Sequence, residues 1–245
     1  ENHILNALTN TYKAGGVDDK NDEAEVKGSI INAYGTAVVF GDTGDKELTL
    51  SGTIVNGGID GSAAISGSDD TDNGDTLILQ SGEIKYKDNN GEEKSATQNT
   101  IVNGNIDMGA GADTLTIGDG TIINGILDGG DSDSEDTLNF GISSGAKSIP
   151  AKSQGVNIIH NISNFKNMNI NTNVTLFEKT IEDGKEKELE VTGADKITIG
   201  ESGTLTLRID STNKDNLSGK IIGHALYENT GEISSTNGGK LLLAL

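Results

Sequence analysis

Cysteine and tryptophan are absent from this 245-residue chain, proline occurs once, and aromatic residues make up only 3% of it. Without cysteine there is neither a disulfide framework nor thiol chemistry. With so few aromatics, a thick globular core filled by large rings is excluded. The chain is nevertheless long enough to bury a sizeable core, so that core has to be thin and aliphatic. Basic residues are also scarce: 18 Lys and Arg stand against 38 Asp and Glu, and Arg208 is the one arginine. A formal charge of −20 excludes nucleic acid as a partner, because neutralising phosphates needs a basic face. No apolar run approaches the roughly 20 residues of a membrane-spanning helix. The opening ENHILNALTN has an acid where a secretion signal has its basic region, so the chain reads as a mature or excised piece of something longer.

What the chain has in abundance is glycine, 34 residues of it, and a repeated phrase. Thr53-Ile54-Val55-Asn56-Gly57 recurs as Thr100-Ile101-Val102-Asn103-Gly104 and as Thr121-Ile122-Ile123-Asn124-Gly125. A looser copy stands at Ser29–Asn32 and a decayed one at Asn157-Ile158-Ile159-His160. The steps between copies are 24, 47, 21 and 36 residues. A second phrase precedes the good copies or stands apart from them: Asp75-Thr76-Leu77, Asp113-Thr114-Leu115, Asp136-Thr137-Leu138 and, weaker, Asp195-Lys196-Ile197.

Both phrases are strand grammar. Leu115 and Ile117 alternate with Thr114 and Thr116, giving one apolar and one polar face. Asn-Gly tolerates positive φ and turns the chain sharply. A unit this small cannot bury its own apolar face, but stacked copies can. Steps of 21 to 24 residues predict an all-β fold, a right-handed parallel β-helix with three short strands per rung, and about ten rungs in all. Asn32, Asn56, Asn103 and Asn124 should stack as an amide ladder along the axis. Ile54, Ile101 and Ile122 are expected to stack facing inward. Residues 1–25 read as a cap or a preceding rung, with HILNALTNTYK as a short helix. Residues 26–170 read as β-helix with insertions at 61–74 and 83–99, and 171–245 as continuing rungs.

The stretches GADTLTIGDGTIINGILDGG, ISNFKNMNINTNVTLFEKT and VTGADKITIGESGTLTLRID resemble the passenger domains of Gram-negative autotransporter adhesins of type V secretion, the very large fusobacterial ones included. The resemblance spans most of the chain from about Val26 onward and rests on rung grammar, not on a catalytic signature. It implies a right-handed β-helix on the outer-membrane surface, tethered by a C-terminal barrel that this chain does not contain. It also implies attachment to a host-cell receptor or glycan, or to a partner bacterium, with the membrane reached only through that barrel.

Three chemical readings compete for the rest. Met108–Thr116 is similar to one nonapeptide of a calcium β-roll, but such rolls need the phrase in tandem. Asp128, Asp131, Asp133 and Asp136 crowd one turn and form a candidate calcium site; Asp69, Asp70, Asp72 and Asp75 crowd another. The plainer account of both is a solvated acidic turn that discourages edge pairing. A β-helix lyase or glycosidase is the enzymatic alternative. It needs paired carboxylates or a base in a cleft, usually with aromatic platforms. With no tryptophan and one arginine, no catalytic residue is assigned and the chain is read as a non-enzyme, a binding module or a plain spacer. Binding, where it occurs, is expected at Lys85, Tyr86 and Lys87, a basic pair around an aromatic inside the 83–99 insertion. The expectation attached to them is electrostatic steering onto an acidic glycan or receptor patch.

Overall fold

The computed structural model of the chain describes residues 4–6, 12–14, 22–131, 133–141, 154–176, 180–182, 185–187, 189–208, 219–222, 232–236 and 238–244. It is a parallel β-helix, and each coil lays down three short strands on three sides. The first coil is β1 (Ile4–Asn6), β2 (Tyr12–Ala14) and β3 (Asp22–Lys27); the second is β4 (Ile30–Asn32), β5 (Val38–Phe40) and β6 (Lys46–Ser51). The third is β7 (Ile54–Asn56), β8 (Ile65–Ser66) and β9 (Thr76–Gln80), after which a hairpin of β10 (Gly82–Lys87) and β11 (Glu93–Gln98) leaves the coil. Next come β12 (Ile101–Asn103), β13 (Ile106–Asp107) and β14 (Thr114–Ile117), then β15 (Ile122–Asn124), β16 (Leu127–Asp128) and β17 (Thr137–Phe140). The sixth coil is β18 (Val156–Ile158), β19 (Ile162–Ser163) and β20 (Asn167–Ile170). The seventh opens with β21 (Asn173–Leu176), extrudes the hairpin β22 (Thr180–Glu182) and β23 (Lys185–Lys187), and resumes with β24 (Leu189–Thr192) and β25 (Lys196–Ile199). The last strands are β26 (Thr204–Arg208), β27 (Gly219–Ile222), β28 (Glu232–Ser235) and β29 (Lys240–Ala244).

With the two hairpins set aside, every third strand therefore pairs with its counterpart one coil away. The second and third sides are continuous eight-stranded parallel sheets, running from β2 to β27 and from β3 to β28. The first side is broken: β1, β4, β7, β12 and β15 form a five-stranded sheet, and β18, β21, β26 and β29 a separate four-stranded one. Among the described residues, eight strands on each continuous side, at about 4.8 Å apart, span roughly 35 Å, against the expected ten rungs. The coil length is not fixed at 21 to 24 residues. Equivalent positions lie 24, 29, 38, 23 and 30 residues apart in successive places. The strands hold a constant register while the turns between them absorb the difference, which is cheap because loop closure costs grow slowly with length.

The core is the inner column of each side. On the third side Leu48, Leu77, Leu115, Leu138, Met168 and Ile197 stack in register with essentially no exposure, and Leu50, Leu79, Ile117, Phe140, Ile170 and Ile199 form the column beside them. Phe40, Phe140 and Phe165 are among the largest fully buried side chains. Each such aliphatic side chain contributes roughly 1.5–3 kcal/mol on burial, so stacking many coils substitutes for the missing aromatic bulk.

The amide ladder forms as expected. Asn56 Nδ2 donates to Asn32 Oδ1 at 2.7 Å, Asn103 Nδ2 to Asn56 Oδ1 at 2.6 Å, and Asn124 Nδ2 to Asn103 Oδ1 at 2.7 Å. Ile54, Ile101 and Ile122 do stack in one register, but they face outward, Ile122 being 44% exposed. The inward residues are Ile31, Val55, Val102 and Ile123. The period of two settles this: Ile54 and Asn56 share a face, and the ladder is on the outer one.

Two further expectations are corrected. Ile4–Asn6 and Tyr12–Ala14 are strands paired with β4 and β5, where a helix over residues 3–13 was expected. Residues 61–74 do not leave the coil as a block: they contain β8, paired with both β5 and β13, and the chain bulges on either side of it. The 83–99 insertion is the antiparallel hairpin β10–β11. Stretches of the expected C-terminal rungs, among them 209–218 and 223–231, lie outside the described residues.

Candidate functional site

The hairpin is largely exposed, Glu93–Thr97 wholly so. Its register runs from Gly82 opposite Gln98 to Lys87 opposite Glu93. At the tip Asp88 Oδ1 accepts the N–H groups of Asn90 at 2.8 Å and Glu92 at 3.0 Å, and Gly91 takes a φ of 80°. At the root Gln98 Nε2 donates to the Gly52 carbonyl at 2.9 Å, and Ser81 Oγ donates to Asn99 Oδ1 at 3.0 Å. Thr100 Oγ1 then returns the chain to the coil, donating toward the carbonyls of Leu50 and Gln80 and accepting the N–H of Thr53. The hairpin is thus pinned to two coils at its base and free above it.

Alternation gives the hairpin two faces. Ile84, Tyr86, Lys94 and Ala96 lie on one, with Tyr86 half-exposed; Glu83, Lys85, Lys87, Glu93, Ser95 and Thr97 lie on the other. Of the expected basic pair, Lys85 is compensated: its Nζ lies 3.4 Å from Glu93 Oε1. Lys94, outside that pair, lies 2.8 Å from Glu92 Oε2. Four acids, Glu83, Asp88, Glu92 and Glu93, face three lysines in the hairpin. The element offers an exposed aromatic on a weakly apolar face, not a cationic patch.

The four aspartates of the candidate calcium turn are not brought together. Asp128 Oδ1 accepts the Gly130 N–H at 3.0 Å and the Asn164 amide at 2.7 Å, and Asp131 Oδ1 faces the Asp133 N–H at 3.5 Å. Asp136 is fully buried in the corner leading to β17. Asp75 likewise leaves the other acidic turn for the interior. Among the described residues, no group of three or more Asp, Glu, His or Cys is arranged to hold a metal ion.

Asp75, Asp113 and Asp136 instead make a column of their own. Asp136 Oδ1 accepts the Asp113 N–H at 2.8 Å, Asp113 Oδ1 accepts the Asp75 N–H at 2.6 Å, and Asp75 Oδ1 accepts the Lys46 N–H at 3.2 Å. Asp75 Oδ2 accepts the Ser68 N–H at 3.2 Å, whereas Asp113 Oδ2, Asp136 Oδ2 and Ser68 Oγ are buried without a partner. Burial is the main cause of the upward shifts that follow: Asp75 is raised, Asp136 is raised to about 6 and Asp113 to about 8. Asp113 stands highest because Asp75 and Asp136 add repulsion on both sides, while Lys166 eases Asp136. The Asp-Thr-Leu phrase signalled this column. The acids looked like surface turn residues because nothing in a single copy shows that its carboxylate caps the preceding coil's backbone.

Two recesses flank the sheets. A shallow groove of about 550 Å³ runs over the outer face of the third side, lined by residues such as Ile78, Thr116, Asn139, Asn169 and Thr198. Within it lies a second amide ladder, Asn169 Nδ2 donating to Asn139 Oδ1 at 2.8 Å and Asn139 Nδ2 to Thr116 Oγ1 at 3.4 Å. A smaller cleft of about 290 Å³ sits at the break of the first side, lined by Asn99, Ile122, Asn124, Gln154, Asn157 and Ile159 among others. Asn99 Nδ2 donates across it to Gln154 Oε1 at 2.8 Å.

Comparison of the chain with family models, with curated proteins and with solved structures found no match.

Proposed function

We propose that this chain is an adhesive passenger segment, a rigid surface-displayed rod that carries the β10–β11 hairpin as its contact element. The observation that carries this reading is the hairpin itself: a two-stranded sheet raised from the coil, anchored at its root and presenting Tyr86 half-exposed. Affinity in protein contacts concentrates in a few aromatic or long side chains; Tyr34 and Tyr86 are the half-exposed aromatics among the described residues, and Tyr86 is the one raised on a hairpin. The absence of cysteine suits a chain that crosses a narrow pore unfolded, since no disulfide locks it early. Coils that pair mainly with their neighbours suit folding from one end. The resemblance to autotransporter passengers supports display on a bacterial outer membrane and a host receptor, a glycan or a partner bacterium as the target. Because Lys85 is paired with Glu93, recognition is assigned to the Ile84–Tyr86 face and not to charge steering.

The test is to delete residues 83–99, joining Gly82 to Thr100, and to measure attachment of beads coated with the rod to host epithelial cells and to bacterial partners. Folding should be retained and attachment lost; Tyr86→Ala should lower attachment in the same direction. Undiminished attachment by a folded deletion variant would show that the hairpin is decoration and the chain a spacer. The enzymatic alternative has no specific observation in its favour.

A further inference from the structure

Asn56, Asn103 and Asn124 share more than a ladder: each is followed by glycine, the dipeptide in which the following nitrogen is least hindered from attacking the side-chain amide. Chemically the three are equivalent, and the structure makes them unequal.

Asn56 and Asn103 are held from both directions. Each donates its amide to the coil before and accepts from the coil after. The attacking nitrogens are also engaged: Gly57 N–H donates to the Asn103 carbonyl and Gly104 N–H to the Asn124 carbonyl, both at 3.1 Å. Their strands, β7 and β12, are interior in the sheet.

Asn124 is the end of the row. It donates backward to Asn103, but among the described residues no donor reaches its own Oδ1, and the Gly125 N–H has no acceptor. The cause is the break of the first side: β15 is the last strand of its sheet, and the next strand, β18, begins another. Asn124 is exposed and lines the 290 Å³ cleft left at the break, which gives water a place beside it.

We propose that Asn124 is a self-modification site of this protein, deamidating through a succinimide while the identical Asn-Gly pairs at Asn56 and Asn103 are protected by the ladder. The Gly125 nitrogen, having given its proton to water, attacks Cγ of Asn124. A new C–N bond closes the five-membered ring, the Cγ–Nδ2 bond breaks, and ammonia leaves carrying a proton from the solvent. Water then opens the ring at either carbonyl, giving aspartate or isoaspartate, with no oxidant or reductant involved. The ring cannot close in an extended strand, so the rate follows local opening. Opening costs least at a strand paired on one side only. Either product places a negative charge at the end of the ladder, and isoaspartate also lengthens the β15 backbone by one carbon.

The experiment incubates the folded chain at pH 8 and follows each Asn-Gly peptide by mass spectrometry until Asn90, in the exposed hairpin turn, is half converted. Asn124 should convert at least about tenfold faster than Asn56 and Asn103, the ratio a difference in opening free energy of about 1.4 kcal/mol produces. In urea the three should converge, since the sequence around the reacting bond is shared. Comparable native rates at the three sites would overturn the proposal. So would an intact Asn124 in a sample whose Asn90 has reacted.

Discussion

Asp113 ties the packing of this rod to pH. It is buried between two other carboxylates, with Oδ1 bonded to the Asp75 N–H and Oδ2 bonded to nothing. The column carries three acids, and Lys46 and Lys166 occupy the equivalent positions at its two ends. Asp75, Asp136 and Asp107 all repel a charge on Asp113, and retaining a proton there removes that repulsion. Its folded pKa, about 8, lies above the unfolded value near 3.8. The native state therefore holds that proton more tightly than the unfolded chain does. Stability from this group is complete below about pH 4 and is lost as pH rises toward 8; Asp136 adds a smaller loss between about 4 and 6. Thermal melting across pH 4 to 9 should show a falling midpoint, and Asp113→Asn, which keeps the acceptor for Asp75, should flatten the upper part of the fall. An unchanged slope in that variant would remove Asp113 as its source. The ladder makes a second residue-scale case. Asn103→Ala removes one amide bond on each side and should cost about 1–3 kcal/mol, whereas Asn124→Ala removes a single bond and should cost about half as much by chemical denaturation.

Single strands show where side-chain direction matters. In β12, Val102 points into the core with no exposure and Ile101 lies on the outer face beside the ladder. Val102→Asp buries an unpaired charge and should abolish folding. Ile101→Asp should be tolerated with a loss of about 1 kcal/mol. Circular dichroism of the two variants separates them, and a folded Val102→Asp protein would mean the register is wrong. The strand repeat was legible in the sequence because Thr-Ile-Val-Asn-Gly carries both a period of two and a turn. Which face was the inner one was not, since Ile54, Val55 and their equivalents are apolar on both faces and only the neighbouring coils decide. The decayed copy at Asn157-Ile158-Ile159 illustrates the limit. Aligned by its letters, Ile158 should be an outward residue like Ile54, yet it is buried and Asn157 is exposed. A slip of one residue exchanges the faces of a strand, and the slip coincides with the break of the sheet. Of the candidate sites, the hairpin was visible as an interruption of the period. The buried acid column was hidden, because carboxylates in Gly- and Ser-rich turns look solvated until the next coil is stacked on them.

For the whole molecule, the consequence of that slip is a weak joint. In a solenoid, stability is close to a sum of coil terms and nearest-neighbour interfaces. Between the fifth and sixth coils the second and third sides continue through β16–β19 and β17–β20, while the first side has no ladder between β15 and β18. One of the three hydrogen-bonded seams is missing there and nowhere else among the described coils from the second to the seventh. Part of the gap is bridged by side chains: Asp119 accepts the N–H groups of Gln154 at 2.9 Å and Gly155 at 2.6 Å, and the Thr172 hydroxyl at 3.1 Å. These ties hold the returning chain against the corner but do not replace a strand seam. Hydrogen exchange should therefore resolve two cooperative blocks, residues 22–141 and 154–208, with amides of β15 and β18 exchanging faster than those of β7 and β12. Asp119→Ala should widen the difference by releasing the bridge, and should lower the stability of the later block more than that of the earlier one. A single block exchanging uniformly through the joint, in the parent chain and in Asp119→Ala alike, would show that the two continuous sheets alone carry the coupling along the rod.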